Sequence, residues 1–148
     1  MIIATARYQD KKIDLDKHLP IGTTCYNPRF KVHYKYTMAK AMAPSKELLF
    51  GKLKKVAFEK AYKKQLDANK EAIAEKLAEL SEQAQGLAKP RKILLLCFCD
   101  LTDCTYCHRI ALGKWLTLRM GLKVPEFTQP AMAKEVEEDH PGAAIWDR

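Results

Sequence analysis

Four of the five cysteines in this chain fall within eleven residues, at Cys97, Cys99, Cys104 and Cys107, and His108 and Arg109 follow at once. Thiol, imidazole and guanidinium are the groups of metal, nucleophilic and anion chemistry, and three readings compete for them. The spacing C-x-C-x₄-C-x₂-C-H offers four sulfurs to a tetrahedral zinc. The usual knuckle is C-x-x-C, however, and one half here is a C-x-C inside an apolar run. Cys104-Thr105-Tyr106-Cys107-His108 fits the C-x-x-C-H of covalent haem attachment letter for letter. That attachment belongs to exported proteins; no export signal is visible, and the fit is read as chance. The third reading is reduced thiols. An odd count of five cysteines without an export signal points to a reducing, cytoplasmic compartment. No metal and no cofactor is assigned.

The position of the cluster sharpens its chemistry. Ile93-Leu94-Leu95-Leu96-Cys97-Phe98-Cys99 is continuously apolar, as a parallel strand covered on both faces requires. After the short loop from Asp100 to Asp103, a helix is expected from about Thr105 to Met120, with Gly121 as its cap. In open α/β sheets ligands bind beyond the carboxyl ends of the strands, and a helix start there offers N–H groups to anions. Cys107, His108 and Arg109 then occupy a first helical turn, where a thiol ionises more readily. Arg109 is the expected grip on a phosphate or carboxylate, Cys107 or His108 the reactive group, and Asp100 a candidate base. Cys97 lines the same site, and Arg7, Tyr8 and Arg29 reach it from strand ends and loops. The plainer alternative is an arginine that pairs with a carboxylate beside cysteines that pack as small hydrophobes.

The remaining elements must position this junction. Ile2 to Ala6 reads as a short buried strand, and Leu19 to Cys25 as a second, with Pro20 at its start. Asn27-Pro28 marks a turn, and residues 29–44 carry no clear pattern. Ser45 is a candidate N-cap for a helix whose Leu48, Leu49 and Leu53 face inward, weakened or ended by Gly51. Val56, Phe58, Ala61, Tyr62 and Leu66 suit a further helix. Ile73, Leu77, Leu80 and Ala84 form one apolar stripe of another, which Gly86 and Pro90 close. Lys123 to Phe127 is a weak last strand. Strands separated by helices indicate an α/β fold: a small, mainly parallel, Rossmann-like sheet flanked by helices, with a helical segment inserted between the second strand and the strongest one. Residues 1–127 form one domain and 128–148 a C-terminal tail, with Ala131 to Glu138 helical.

Charge is concentrated elsewhere. Of the net +8, residues 28–92 alone carry +9, from 16 basic and 7 acidic side chains, while residues 93–127 are close to neutral at +1. Lys52, Lys54, Lys55, Lys60, Lys63 and Lys64 are the densest part, and upstream Arg29, Lys31 and Lys35 interleave with Phe30, Tyr34 and Tyr36. Basic residues among aromatics suit a nucleic-acid strand, so residues 29–64 are a candidate nucleic-acid surface; the alternative is a solvated lysine face. The longest apolar run has seven residues, far short of the ~20 that cross a bilayer, and no membrane partner is expected.

The chain also resembles a known family, the domain of unknown function 488, in its short phage and bacterial branch. The likeness rests on the strand Leu94-Leu95-Leu96-Cys97 and on the Cys107-His108-Arg109 signature opening the next helix. Leu19-Pro20-Ile21-Gly22, Ala43-Pro44-Ser45 with Leu48-Leu49, and the pair Phe58 and Tyr62 extend it over roughly residues 1–127. Where the family has glutamate two residues after its first cysteine, this chain has Cys99, with Asp100 next as a substitute; Cys104 is not part of the pattern. The resemblance implies an α/β fold and a site shared by Cys97, Cys107, His108 and Arg109, and no established reaction. Two functions follow as expectations. One is a small domain that binds a nucleotide-like or other anionic ligand, with or without catalysis. The other is a non-enzymatic accessory or inhibitor protein that binds nucleic acid or a host protein through the basic middle segment.

Overall fold

Ile93, Leu94, Leu95 and Leu96 are all fully buried, and the strand they form holds the sheet together. The computed structural model describes residues 1–86, 89–98 and 108–127. In chain order these form strands β1 (Ile3–Arg7), β2 (His18–Gly22) and β3 (Thr37–Met38), then helices α1 (Lys46–Phe50), α2 (Lys55–Ala68) and α3 (Lys70–Gln85), then β4 (Lys92–Cys97) and α4 (His108–Met120). The sheet order is β1-β4-β2-β3, and every pairing is parallel. It is a small Rossmann-like α/β fold. The last strand in the sequence is central in space, with Ile3 opposite Ile93 and His18 opposite Lys92.

The two faces of the sheet are covered differently. Ile3, Ile21, Ile93 and Leu95 share one core with Phe58, Tyr62 and Leu66 of α2, Ile73, Leu77, Leu80 and Ala84 of α3, and Ala111, Leu112, Trp115 and Leu116 of α4. The apolar stripe expected for α3 is therefore its buried face. Ala4, Ala6, Leu94 and Leu96 face the other way. There Tyr8, Ile13, Val32, Tyr34, Tyr36 and Phe98 cover them, from segments outside any described helix. Residues 29–44, patternless in sequence, thus supply an aromatic cover, the short β3 and a 3₁₀ turn at Lys40–Met42.

Several local expectations are corrected. Pro20 lies in the middle of β2, not at its start. The ladder explains the tolerance: Thr23 N–H donates to Leu96 O, while Gly22 O accepts from Ala39, so even-numbered residues of β2 address β3. β3 reaches only Ile21 and Gly22, and the missing N–H of Pro20 faces no strand. Lys123 to Phe127 is not a full strand. It makes one parallel bridge, Thr5 to Glu126, along the outer edge of β1, with Thr5 N–H donating to Pro125 O and Phe127 N–H to Thr5 O. Of Leu48, Leu49 and Leu53, only Leu48 packs against the core; Leu49 and Leu53 are exposed. The helix from Ser45 is capped as its sequence suggests, the Ser45 hydroxyl accepting from Leu48 N–H at 3.3 Å, but it ends after one turn at Phe50. Lys52, not Gly51, then takes the left-handed conformation, at φ +54°. Gly121 closes α4 at φ +65°, its N–H donating to Thr117 O, the αL cap. β4 ends at Cys97; Cys99, the helix start at Thr105 and the tail lie outside the described residues.

At the amino end of the sheet, the His18 side chain is buried against Phe127, with ring centroids 4.7 Å apart. Its Nδ1 accepts the Asp14 N–H at 3.0 Å, which requires that nitrogen to be unprotonated. Burial, and next the charge of Lys92, hold the ring below the ordinary histidine range. The unfolded chain therefore takes up this proton first as pH falls. The stability His18 contributes is present above about pH 6.5 and is lost as pH drops toward its lowered folded value. Urea unfolding between about pH 7.5 and 5 should show the midpoint falling with acidity, and His18→Gln should flatten that fall; equal slopes in both proteins would refute the assignment.

Candidate functional site

β4 delivers Cys97 at its carboxyl end, and Thr23 and Thr24 follow directly from β2 beside it. α4 then begins, among the described residues, with His108. The Cys97 Sγ lies 3.5 Å from His108 Nδ1, and the opposite ring nitrogen, Nε2, lies 3.2 Å from Thr23 Oγ1. The protons of this chain can be placed from the donor inventory. The single hydroxyl proton of Thr23 is used on Leu96 O, at 2.8 Å. Thr23 Oγ1 therefore accepts from His108, which puts the imidazole proton on Nε2. Nδ1 is left as the acceptor that faces the thiol. Tyr62 packs edge-on against the imidazole at 5.9 Å, fixing its plane from the α2 side.

The thiol and imidazole stand at one wall of a cavity of about 350 Å³, lined mainly by apolar side chains, with Leu48, Leu53, Phe58 and Phe98 among them. Thr24, Cys25, Tyr26 and the exposed Lys52 are polar residues of its lining besides the pair itself. The volume lies at the low end of small-molecule sites, about 300–1,000 Å³. Cys97 and Cys25, which also lines the cavity, are both reduced thiols. Cys97 is 1% exposed, so the cavity is its route to a reagent.

The other expected residues are distributed around this centre. Tyr8 lies one layer behind it, its hydroxyl 2.7 Å from Thr24 Oγ1 and its N–H donating to Cys97 O. Burial pushes its phenol up to about 12. Arg29 lines an open groove that adjoins the cavity, the two sharing Tyr26 and Phe98. Arg7 turns to Asp10, with Nη2 3.4 Å from Oδ1. Arg109 is not among the cavity-lining residues. It is 1% exposed and reaches Glu126 with Nε at 3.1 Å from each carboxylate oxygen and Nη2 at 2.7 Å from Oε2. The Thr5 hydroxyl donates to the same carboxylate at 2.6 Å. Cys107 and Asp100 lie outside the described residues, as do Cys99 and Cys104; of the four sulfurs considered for zinc only Cys97 is described.

With this geometry in place, comparison with protein families gives one result. The model of DUF488-N3a, described as an active DUF488-N3 subclade, matches residues 3–120. The chain belongs to the DUF488 family. Searches of curated proteins and of solved structures returned no match. The matched span of this DUF488 member covers β1 through α4, and so includes both Cys97 and His108.

Sequence reasoning missed Thr23 and Glu126, and placed Lys52 on the basic surface rather than at the cavity. Thr23 carries a weak signal, as a hydroxyl placed just after a strand next to the strongest one. Glu126 carries none, because its link to Arg109 depends on a chain reversal after α4. Arg109 is a buried charge whose partner lies 17 residues on. Glu126→Gln removes the opposing charge and should cost about 3–5 kcal/mol of folding stability, as for other broken buried pairs. Chemical denaturation measures this, and a loss under about 1 kcal/mol, the scale of a surface pair, would show the contact to be marginal.

Proposed function

We propose that this DUF488 member binds a nucleotide-like or other anionic ligand in the cavity at the ends of β2 and β4 and attacks it with a thiol. The observation that carries the reading is the chain Cys97–His108–Thr23, with sulfur 3.5 Å from an imidazole nitrogen that the Thr23 contact leaves as acceptor. A nucleophile within reach of a base, with the base oriented by a third group, is the general arrangement of nucleophilic catalysis. His108 takes the Cys97 proton, and the thiolate displaces a leaving group from an electrophilic atom of the bound ligand: the S–ligand bond forms as the bond to the leaving group breaks, and His108 returns the proton to the departing group. The apolar walls suit a flat ring, and Lys52, with Arg29 in the adjoining groove, suits its phosphate. Cys107, directly before His108, and Asp100 are the further reactive groups assigned to the site. Arg109 is assigned a positioning role: bound by Glu126, it anchors the segment along β1 and thereby the start of α4.

The test is the rate at which iodoacetamide alkylates Cys97, followed by peptide mass spectrometry so that each cysteine is read separately. At pH 7, His108→Gln should slow Cys97 by at least about tenfold, while the melting temperature reports whether the fold is intact. Adenosine or thymidine 5′-monophosphate should protect Cys97, and Lys52→Ala should weaken that protection. Alkylation indifferent to His108, or to every nucleotide tried, would refute the proposal.

A further inference from the structure

Large aromatic side chains stand in solvent beside the cavity where the core does not need them. Tyr26 is 45% exposed, Phe30 41% and Phe50 68%. They are grouped rather than scattered: the rings of Tyr26 and Phe50 lie 6.3 Å apart, as do those of Phe30 and Phe98. With Arg29 they line an open groove of about 720 Å³ that meets the Cys97 cavity at Tyr26 and Phe98. Exposed apolar groups gathered in this way mark an interaction site.

The surrounding charge selects the partner. From Cys25 to Val56 the chain carries Arg29 and seven lysines against one acid, Glu47. All of those cations but Lys55 are exposed, and Lys46 Nζ lies 5.5 Å from the Tyr26 ring centre. Protein interfaces are depleted in lysine, whereas lysine and arginine around stacking rings are the pattern of single-strand binding. Bases within a duplex are already stacked on one another and offer no faces to these rings. A single strand offers faces to the aromatics and phosphates to the cations together.

We infer that this groove binds single-stranded nucleic acid, its bases stacked on Tyr26, Phe30 and Phe50 and its phosphates on Arg29 and the neighbouring lysines, and that the ligand of the Cys97 cavity is one nucleotide of that strand. The second half rests on the proposed function; the first stands on the groove alone.

Fluorescence anisotropy of the full chain with labelled oligo(dT) and oligo(rU) of about ten nucleotides, a typical single-strand site size, tests it. Binding should weaken steeply with added salt, and a duplex of the same length should bind less tightly. Phe50→Ala, at an exposed position, should weaken single-strand binding at least about fivefold with an unchanged melting temperature, and Arg29→Ala should lower the salt sensitivity. A preference between the two oligomers distinguishes DNA from RNA. Duplex binding as tight as single-strand binding, or binding indifferent to Phe50, overturns the inference. The Cys97 alkylation assay separates the two proposals. Protection by thymidine 5′-monophosphate, with no gain in affinity for the oligomer, overturns the strand inference and leaves the cavity reading standing. Phe50-dependent oligomer binding that leaves Cys97 unprotected upholds the groove and refutes the placement of a strand nucleotide in the cavity.

Discussion

Everything in this molecule is referred to one buried strand. Among the described residues β4 is the only strand that pairs with both β1 and β2, and four consecutive residues of it, Ile93 to Leu96, are fully excluded from solvent. A strand in that position must be apolar on both faces, since helices cover one face and an aromatic segment the other. It must also end in the middle of the sheet's carboxyl edge. Cys97 is therefore held firmly within that edge, at 1% exposure.

His108 and Arg109 open the described part of α4. Consecutive residues on a helix point about 100° apart, and His108 and Arg109 accordingly face different neighbourhoods. His108 meets Cys97 and Thr23 in the cavity, while Arg109 meets Glu126 and Thr5 at the edge of β1. One contact sets the imidazole against the thiol and the other fastens the returning chain. The fastening also covers the outer edge of β1, which would otherwise present open hydrogen-bonding groups.

What the sequence made legible was whatever a local pattern enforces. The continuous run at β4, the four-three-four apolar stripe of α3, the Ser45 cap and the Gly121 stop all follow from spacing along the chain, and all are present. The parallel α/β class followed from the order of those patterns. Features that depend on tertiary approach were not legible. Leu49 and Leu53 were read inward on apolarity alone, but α1 ends after one turn and both are exposed. Lys123 to Phe127 has strand-like residues and pairs at only one point, because it meets β1 along a short outer edge. Within the site, the thiol and imidazole were named from adjacency in sequence. The pairing of Cys97 with His108, and the Thr23 contact that sets the imidazole proton, required the sheet register.

The strand order has a consequence in time. β1 and β2 are not neighbours; they are joined only through β4, which lies between them, and the paired residues Ile3 and Ile93 are 90 positions apart. Contacts of such separation are slow to form, because a long loop must close before they gain anything. As the chain leaves the ribosome, α2 and α3 can form from local contacts, whereas β1 and β2 must wait, apolar and unpaired with each other, until β4 emerges. The stretch that completes the sheet is the same stretch that carries Cys97, so the thiol takes its place only as the sheet closes.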